Sequence, residues 1–238
     1  MVLTVHHLGI SQSERILWLL EELGIQYELV KHVRAPALAP QSLMDVPGNA
    51  TGKAPFVADS DTGVTLSESG AICEYLIHRY GGGKFAIPPT ADAKTYAAYL
   101  YWLHFSNGTL QAAMINSMFT RPMADTHFAR SADKRLKDAV KVMDDRLAET
   151  KWLAGSEFTA ADIMSVYPVT TQRYFGPQMD LTPYKNVLRW LKDCSERPAY
   201  HKAMEKGDPD MKLLLGGEAP SESILVSGGV NSKGWRKA

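Results

Sequence analysis

Two hydrophobic periods alternate along the first eighty residues. "LTVHHL", Leu3 to Leu8, is short and β-prone, and "QYELVKHV" reads as a second strand. Between them Ile16, Leu19, Leu20 and Leu23 recur at helical spacing, and Gly24 is placed to stop that helix. A Pro- and Gly-rich passage from Ala35 to Gly52 carries no regular period. "PFVAD" and "VTLSE" then flank "SDTG" as a hairpin whose turn uses Asp61 and Gly63. "SGAICEYLIHRYGGG" sets Ile72, Tyr75, Leu76 and Arg79 on helical spacing and runs out in three glycines. The order β-α-β, loop, β-β-α predicts a small mixed sheet flanked by helices.

From about Ala91 the pattern is almost wholly helical. "YAAYLYWLHFSNGTLQAAMINSMF" is long and apolar, and Leu136, Val140, Met143 and Leu147 stand at helical spacing with charges between them. Pro88 and Pro89 discourage helix and place a linker in "FAIPPTAD". The pattern therefore predicts an α/β domain over 1–83 and an all-helical domain over 91–205. A tail over 206–238, rich in Gly, Ser, Pro and charge, is expected either to wrap on the body or to be disordered. One helix start is well specified: in "FTAADI" Thr159 is placed to cap, Asp162 follows three residues on, and Phe158 and Ile163 have the spacing of a hydrophobic staple.

Composition narrows the function classes. Of 238 residues 45% are hydrophobic and 22% charged, an ordinary globular composition. The balance of 26 Lys+Arg against 26 Asp+Glu gives no electrostatic case for nucleic acid or an anionic membrane. The longest apolar runs fall far short of the ~20 residues of a membrane span, and "VLTVHHLG" after Met1 does not resemble a secretory signal. Two cysteines without a CxxC predict no disulfide framework and a cytoplasmic location. The sequons at Asn49 and Asn107 are expected to be accidental in such a chain.

Three segments of the first half carry candidate chemistry. In "GISQSER", Ser11 and Ser13 stand at or near a helix N-terminus, where free N–H groups favour an anion; either serine also suffices as a simple cap. In "GKAPFV", Pro55 opens a strand and forfeits a backbone donor. It is either an ordinary trans strand start or a cis bend that turns the Ala54 N–H and C=O outward to pair with an extended peptide. In "LSESGAI", Glu68 and Ser69 sit where a strand hands over to a helix. There a carboxylate is placed to accept an ammonium group and a hydroxyl to hold a carboxylate, or the pair is only a cap and a solvated glutamate. "GNATGK" lacks the spacing of a phosphate loop, and adjacent His6 and His7 point to opposite faces of a strand, a poor chelating pair. No metal site is expected. Cys73, inside a helix without a cysteine partner, reads as a buried thiol.

Together "SQSER", "GKAPFV" and "ESGAICEYL", on this scaffold and with "FTAADI" further on, resemble the glutathione transferase family over roughly residues 3 to 210. "YWLHFSNGTL" and "KGDPD" resemble its fungal and bacterial branch. The resemblance implies a thioredoxin-like N-terminal domain, an all-α helical-bundle C-terminal domain and a homodimer. It implies Ser11, with Ser13 as the fallback, as the hydroxyl that hydrogen-bonds the glutathione thiolate; Arg15 fits the arginine four positions later. Ala54 resembles the backbone partner of the tripeptide, Pro55 the cis-proline, Glu68 and Ser69 the γ-glutamyl anchors, and Lys53 a group near the glycine carboxylate. "PGNATGK" is longer here than the "HPLGK" of many relatives. An apolar electrophile pocket draws Leu8, His104, Phe105 and Met118 as candidates, each also suited to core packing. The implied activity is conjugation of glutathione, a co-substrate, to small hydrophobic electrophiles, with hydroperoxide reduction as a side activity. No other cofactor is implied. The alternative is a non-catalytic ligand carrier or regulatory subunit on the same scaffold, and lyase or isomerase work on one metabolite is a third use of the same site.

Overall fold

Strand β1 (Leu3–Leu8) is the hub of the first unit in a computed structural model that describes residues 3–123 and 125–237. The sheet has the order β2-β1-β3-β4. β2 (Glu28–His32) runs parallel to β1, with His6 opposite Val30, while β3 (Phe56–Asp59) runs antiparallel to β1, with Val5 opposite Val57. β4 (Val64–Ser67) closes the hairpin, and its turn is held by Asp59, which accepts from Asp61 N–H at 3.1 Å and from Gly63 N–H at 2.8 Å. Gly63 has φ 69°, a conformation that glycine adopts without strain. Helix α1 (Glu14–Leu23) buries Ile16 to Leu20 and stops at left-handed Gly24; α3 (Ser69–Arg79) buries Ile72, Cys73, Leu76 and Ile77. The passage from Ala35 to Gly52 contains one short helix, α2 (Gln41–Met44), whose Leu43 packs with Leu8 and Ala54.

The first compact unit takes in the chain as far as Lys84 together with Arg197–Lys212 and the chain from Ile224 on. Helix α9 (Pro198–Gly207) therefore lies with the sheet unit, where the sequence groups residues up to 205 with the helical domain. Charge explains the docking. Arg197, just before α9, forks onto the Glu22 carboxylate at 2.5 and 2.7 Å, while Lys202 and Lys206 both reach Glu21. Gly207 ends the helix hard against the sheet, since a Cβ there would lie 2.9 Å from Leu17 and 3.2 Å from the His7 ring. The last described residues wrap on this unit rather than hanging free: Ile224 and Trp235 are buried, and Lys212 N–H and Val230 N–H bond to Trp235 and Pro36 carbonyls.

The Glu21 clamp has a pH signature. Burial works to raise the Glu21 carboxyl, and hydrogen bonds from Lys202, Lys206 and Tyr27 outweigh it and hold the group below the usual glutamate range. A lowered folded pKa contributes stability above the unfolded value and loses it as pH falls. Glu21→Gln should therefore cost about 1 kcal/mol at neutral pH, and the gap to wild type in thermal melts should close below about pH 4. A gap that persists unchanged in acid would show that the carboxylate charge is not what holds α9.

The second unit spans Phe85–Glu196 and Leu213–Ser223. Asp92 caps α4 (Ala93–Phe105) by accepting from Lys94 and Thr95 N–H. A π-helical turn, Ser106–Gln111, joins it to α5 (Ala112–Thr120), followed by the long α6 (His127–Glu149). α7 (Ala160–Val169) carries the expected capping box of Thr159 and Asp162, with Phe158 packed edge-on against Phe85 and Trp152. α8 (Lys185–Ser195) buries Val187, Trp190 and Leu191. Among the described residues no helix is long and apolar enough to cross a membrane.

Candidate active site

The loop between β1 and α1 is held at both ends by groups far away in sequence. Gly9 N–H donates to the His32 carbonyl at 3.0 Å, and Arg34 donates to the Gly9 and Ile10 carbonyls at 2.8 and 3.0 Å. Ile10 takes φ 53°, which a β-branched residue accepts only when its surroundings fix it. Its N–H donates to both oxygens of the Asp208 carboxylate at 3.1 Å. On this fixed loop Ser11 is only 4% exposed, and its Oγ accepts from Ser13 N–H at 3.3 Å.

Ser11 thus serves one N–H of the helix start, as the simple capping reading expects, but the cap position itself behaves differently. Ser13 is the N-cap of α1 and its side chain makes no capping bond. Its Oγ lies 2.7 Å from Ser11 Oγ and 2.8 Å from His7 Nδ1. His7 in turn reaches Asp208 through Nε2 at 3.1 Å. His6, on the opposite face of the strand as its position demands, pairs instead with His32 at 3.0 Å. Among the described residues no cluster suited to a metal ion occurs.

Two side chains tie the three sequence segments into one patch. Gln12 Nε2 donates to the Ala54 carbonyl at 3.3 Å, and its Oε1 accepts from Arg15 Nη1 at 3.1 Å. The same Arg15 nitrogen donates to Ser69 Oγ at 3.2 Å. Arg15 is fully buried, so a cation joins the first and third segments from beneath. The Ser69 hydroxyl is thereby tethered at its place beneath the exposed Glu68. Neither Gln12 nor this use of Arg15 is visible from the sequence. The available signal is two polar positions at the buried start of a leucine-rich helix, which need partners wherever they go.

The Ala54–Pro55 bond is cis. The bend does not leave the Ala54 carbonyl unengaged, because Gln12 already binds it, although a carbonyl oxygen accepts a second bond. Ala54 N–H has no acceptor among the described residues. Lys53 is exposed, and its carbonyl accepts from Asn49 Nδ2 at 3.1 Å; the buried Asn49 amide also binds Leu43, so it orders the long "PGNATGK" loop. Glu68 is exposed at φ 70°, ψ 113°, a rare conformation for a non-glycine residue, and it hands over to α3 with Ser69 at the first helical position. Cys73 lies behind this patch, its thiol pushed up to about 12 chiefly by burial, which makes it an inert thiol.

Such a patch offers an ammonium acceptor at Glu68, a carboxylate site at Ser69 with the α3 N-terminus, an extended-backbone partner at Ala54 and a hydroxyl at Ser11. The apolar candidates fall in both units. Leu8 packs in the first unit with Leu43 and Ala54. In the second unit Phe105 is buried beside Trp102, His104 is exposed, and Met118 is half-buried with its sulfur 3.7 Å from Gln172 Nε2.

Residues 11–79 match the family described as "Glutathione S-transferase, N-terminal domain", and residues 111–198 match "Glutathione S-transferase, C-terminal domain". Among curated proteins, Glutathione S-transferase 3 of Schizosaccharomyces pombe is 33% identical over 230 residues, covering 90% of this chain and 91% of the relative. Glutathione S-transferase GstB of Escherichia coli is 29% identical over 199 residues, 82% of this chain and 93% of that one. A crystal structure of a glutathione S-transferase from Actinobacillus pleuropneumoniae superposes with TM-score 0.75 at 30% identity, covering 87% of this chain and 93% of the other.

Proposed function

The chain belongs to the glutathione S-transferase family and is a transferase, and from that premise we propose that it ionises the glutathione thiol for attack on small hydrophobic electrophiles. Ser11 is the hydroxyl that meets the sulfur, as in a serine-loop branch. Glu68 and Ser69 take the γ-glutamyl end, Ala54 the peptide, and Lys53 the glycine carboxylate. The observation that carries this reading is the convergence of three loops, through Gln12 and Arg15, on one face that also bears the Ser11 hydroxyl. Hydroperoxide reduction uses the same thiolate. A cytoplasmic homodimer accompanies the reading, and exposed Tyr101 and Val142 on the helical unit suit a second copy.

The energetics are sufficient. A free thiol has a pKa of ~8.5, so only a few per cent is thiolate at pH 7. Reaching a pKa of about 7 takes roughly 2 kcal/mol of preferential thiolate stabilisation. A hydrogen bond to a charged acceptor supplies about 1.5–3 kcal/mol, and a helix N-terminus about 0.3–1 more.

Retention on glutathione-agarose and turnover of a chromogenic aryl halide test the proposal together. Ser11→Ala should still be retained and should lose about 10- to 100-fold in kcat/KM, the weight of one such hydrogen bond. Wild-type retention without turnover on a panel of electrophiles would point instead to a ligand carrier. An unimpaired Ser11→Ala enzyme would remove Ser11 from its role.

A further inference from the structure

Four polar side chains form an unbroken chain from the Ser11 hydroxyl into the first unit. Ser11 Oγ and Ser13 Oγ are 2.7 Å apart, Ser13 Oγ and His7 Nδ1 2.8 Å, and His7 Nε2 and Asp208 Oδ2 3.1 Å. Ser13 and His7 are fully buried, and the Asp208 side chain is only 8% exposed. From this geometry, and resting on the reading above that glutathione binds at Ser11, we infer that His7 receives the thiol proton through Ser13 and Ser11, with Asp208 holding the resulting imidazolium.

Hydrogen-bond valence fixes the direction. Asp208 accepts Ile10 N–H and, as a carboxylate, only accepts, so Nε2 of His7 carries a proton facing it. With His7 neutral, Nδ1 is an acceptor at 2.8 Å, and Ser13, whose Oγ also accepts from Leu8 N–H at 3.3 Å, donates to it in preference to the Leu8 carbonyl at 3.4 Å, so Ser11 is free to donate to Ser13. The Ser11 hydroxyl proton then points inward and offers nothing to a sulfur. With His7 doubly protonated every donor reverses: Nδ1–H donates to Ser13, Ser13 O–H donates to Ser11, and Ser13 N–H fills the other lone pair of Ser11. The Ser11 proton is then left to point outward, where a thiolate needs it. Passage between the two states balances. The S–H bond breaks and its electron pair stays on sulfur; its proton forms a bond to Ser11 Oγ, the Ser11 proton moves to Ser13 Oγ, and the Ser13 proton moves to His7 Nδ1.

One more observation sets this chain apart from an ordinary buried contact. Ser13 occupies the N-cap of α1, where serine normally binds a free helix N–H, and its hydroxyl is turned away from the helix to His7. Of the ionisable groups, the Asp208 carboxylate meets His7 after α9 and His32 on β2 interacts with it electrostatically. His7 and Asp208 touch no substrate atom; they are positioning residues that act through the two serines.

The test counts protons on the full chain. Reduced glutathione and S-methylglutathione, which has no thiol proton, are titrated calorimetrically into wild type, Ser13→Ala, His7→Gln and Asp208→Asn in two buffers of different ionisation heat. Ultraviolet absorbance of the bound thiolate is followed against pH in parallel. Wild type should form thiolate with almost no proton released to buffer near neutral pH. Ser13→Ala, cutting the chain at one hydroxyl, should release about one proton per thiolate, with the thiolate midpoint raised by about one pH unit, a tenfold change in its equilibrium constant. S-methylglutathione should bind wild type and Ser13→Ala alike, a control that a merely structural role for Ser13 would not pass. His7→Gln should behave as Ser13→Ala does; if it fails to fold, Ser13→Ala carries the test alone. Full proton release by wild type, or an unchanged count and midpoint in Ser13→Ala, overturns the inference while leaving the family activity standing. Failure of wild type to bind either compound removes the preceding reading, and this one with it.

Discussion

Arg173→Leu is expected to destabilise the protein by about 3–5 kcal/mol, the range for stripping one partner from a buried charged network. Arg173 is completely buried, and its guanidinium donates to five carbonyl oxygens. Nε meets Met179 at 3.1 Å, Nη1 meets Val169 and Gly216 at 3.4 and 3.0 Å, and Nη2 meets Gly217 at 2.9 Å and also Glu218. Burial brings the guanidinium down to about 10, still cationic at neutral pH. Leucine would take this donor from all five carbonyls; Gly217 would keep another in Leu181 N–H at 2.8 Å, while those left buried and unsatisfied cost about 1–3 kcal/mol each before relaxation. Arg173→Lys should recover only part of the loss, since one ammonium replaces a planar fork of five donors. Urea unfolding reads the energy, and limited proteolysis between 213 and 223 reads the release of the segment that carries three of the acceptors. A leucine variant within about 0.5 kcal/mol of wild type, the usual range for a surface change, would refute the assignment.

Asp162→Ala should cost about 3 kcal/mol or more, with loss concentrated in the helical unit. Its carboxylate is fully buried and accepts from Leu153 N–H and Thr159 N–H at 3.0 Å and from the Trp190 indole at 2.8 Å. Burial pushes the carboxyl up to about 6, against the pull of those donors. Alanine removes the capping box, worth about 1 kcal/mol by itself, and leaves the Leu153 and Trp190 donors unpaired. Asp162→Asn, with one acceptor oxygen in place of two, should fall between. Circular dichroism melts measure the stability, and Trp190 fluorescence reports whether its indole has lost its partner. Wild-type melting of the alanine variant would mean that the cap is dispensable.

The elements that the sequence reveals are those whose signal is local. Both helix periods of the first half, the hairpin turn at Asp61 and Gly63, and the Thr159–Asp162 box are all written within a few residues of where they act. Helix α2 is invisible because its four residues owe their order to Leu43 packing with Leu8 and Ala54, not to periodicity. The cis bond at Gly176–Pro177 carries no local mark that separates it from a trans one. Docking of α9 pairs Arg197 and Lys202 with Glu22 and Glu21, some 180 residues earlier, a match that no window reads. The candidate site divides in the same way. Ser11, Ala54, Glu68 and Ser69 stand at strand and helix boundaries that the sequence marks. Gln12, Arg15, Arg34, His7 and Asp208, which hold them, are joined only by the tertiary fold.

Anchoring of Ile10 by a carboxylate 198 residues further on has a consequence for the order in which the protein is made. At the ~5–20 residues per second of synthesis, the two ends of that contact leave the ribosome on the order of 10–40 s apart. Throughout that interval the nascent chain carries the loop of Ser11 without the carboxylate that fixes it.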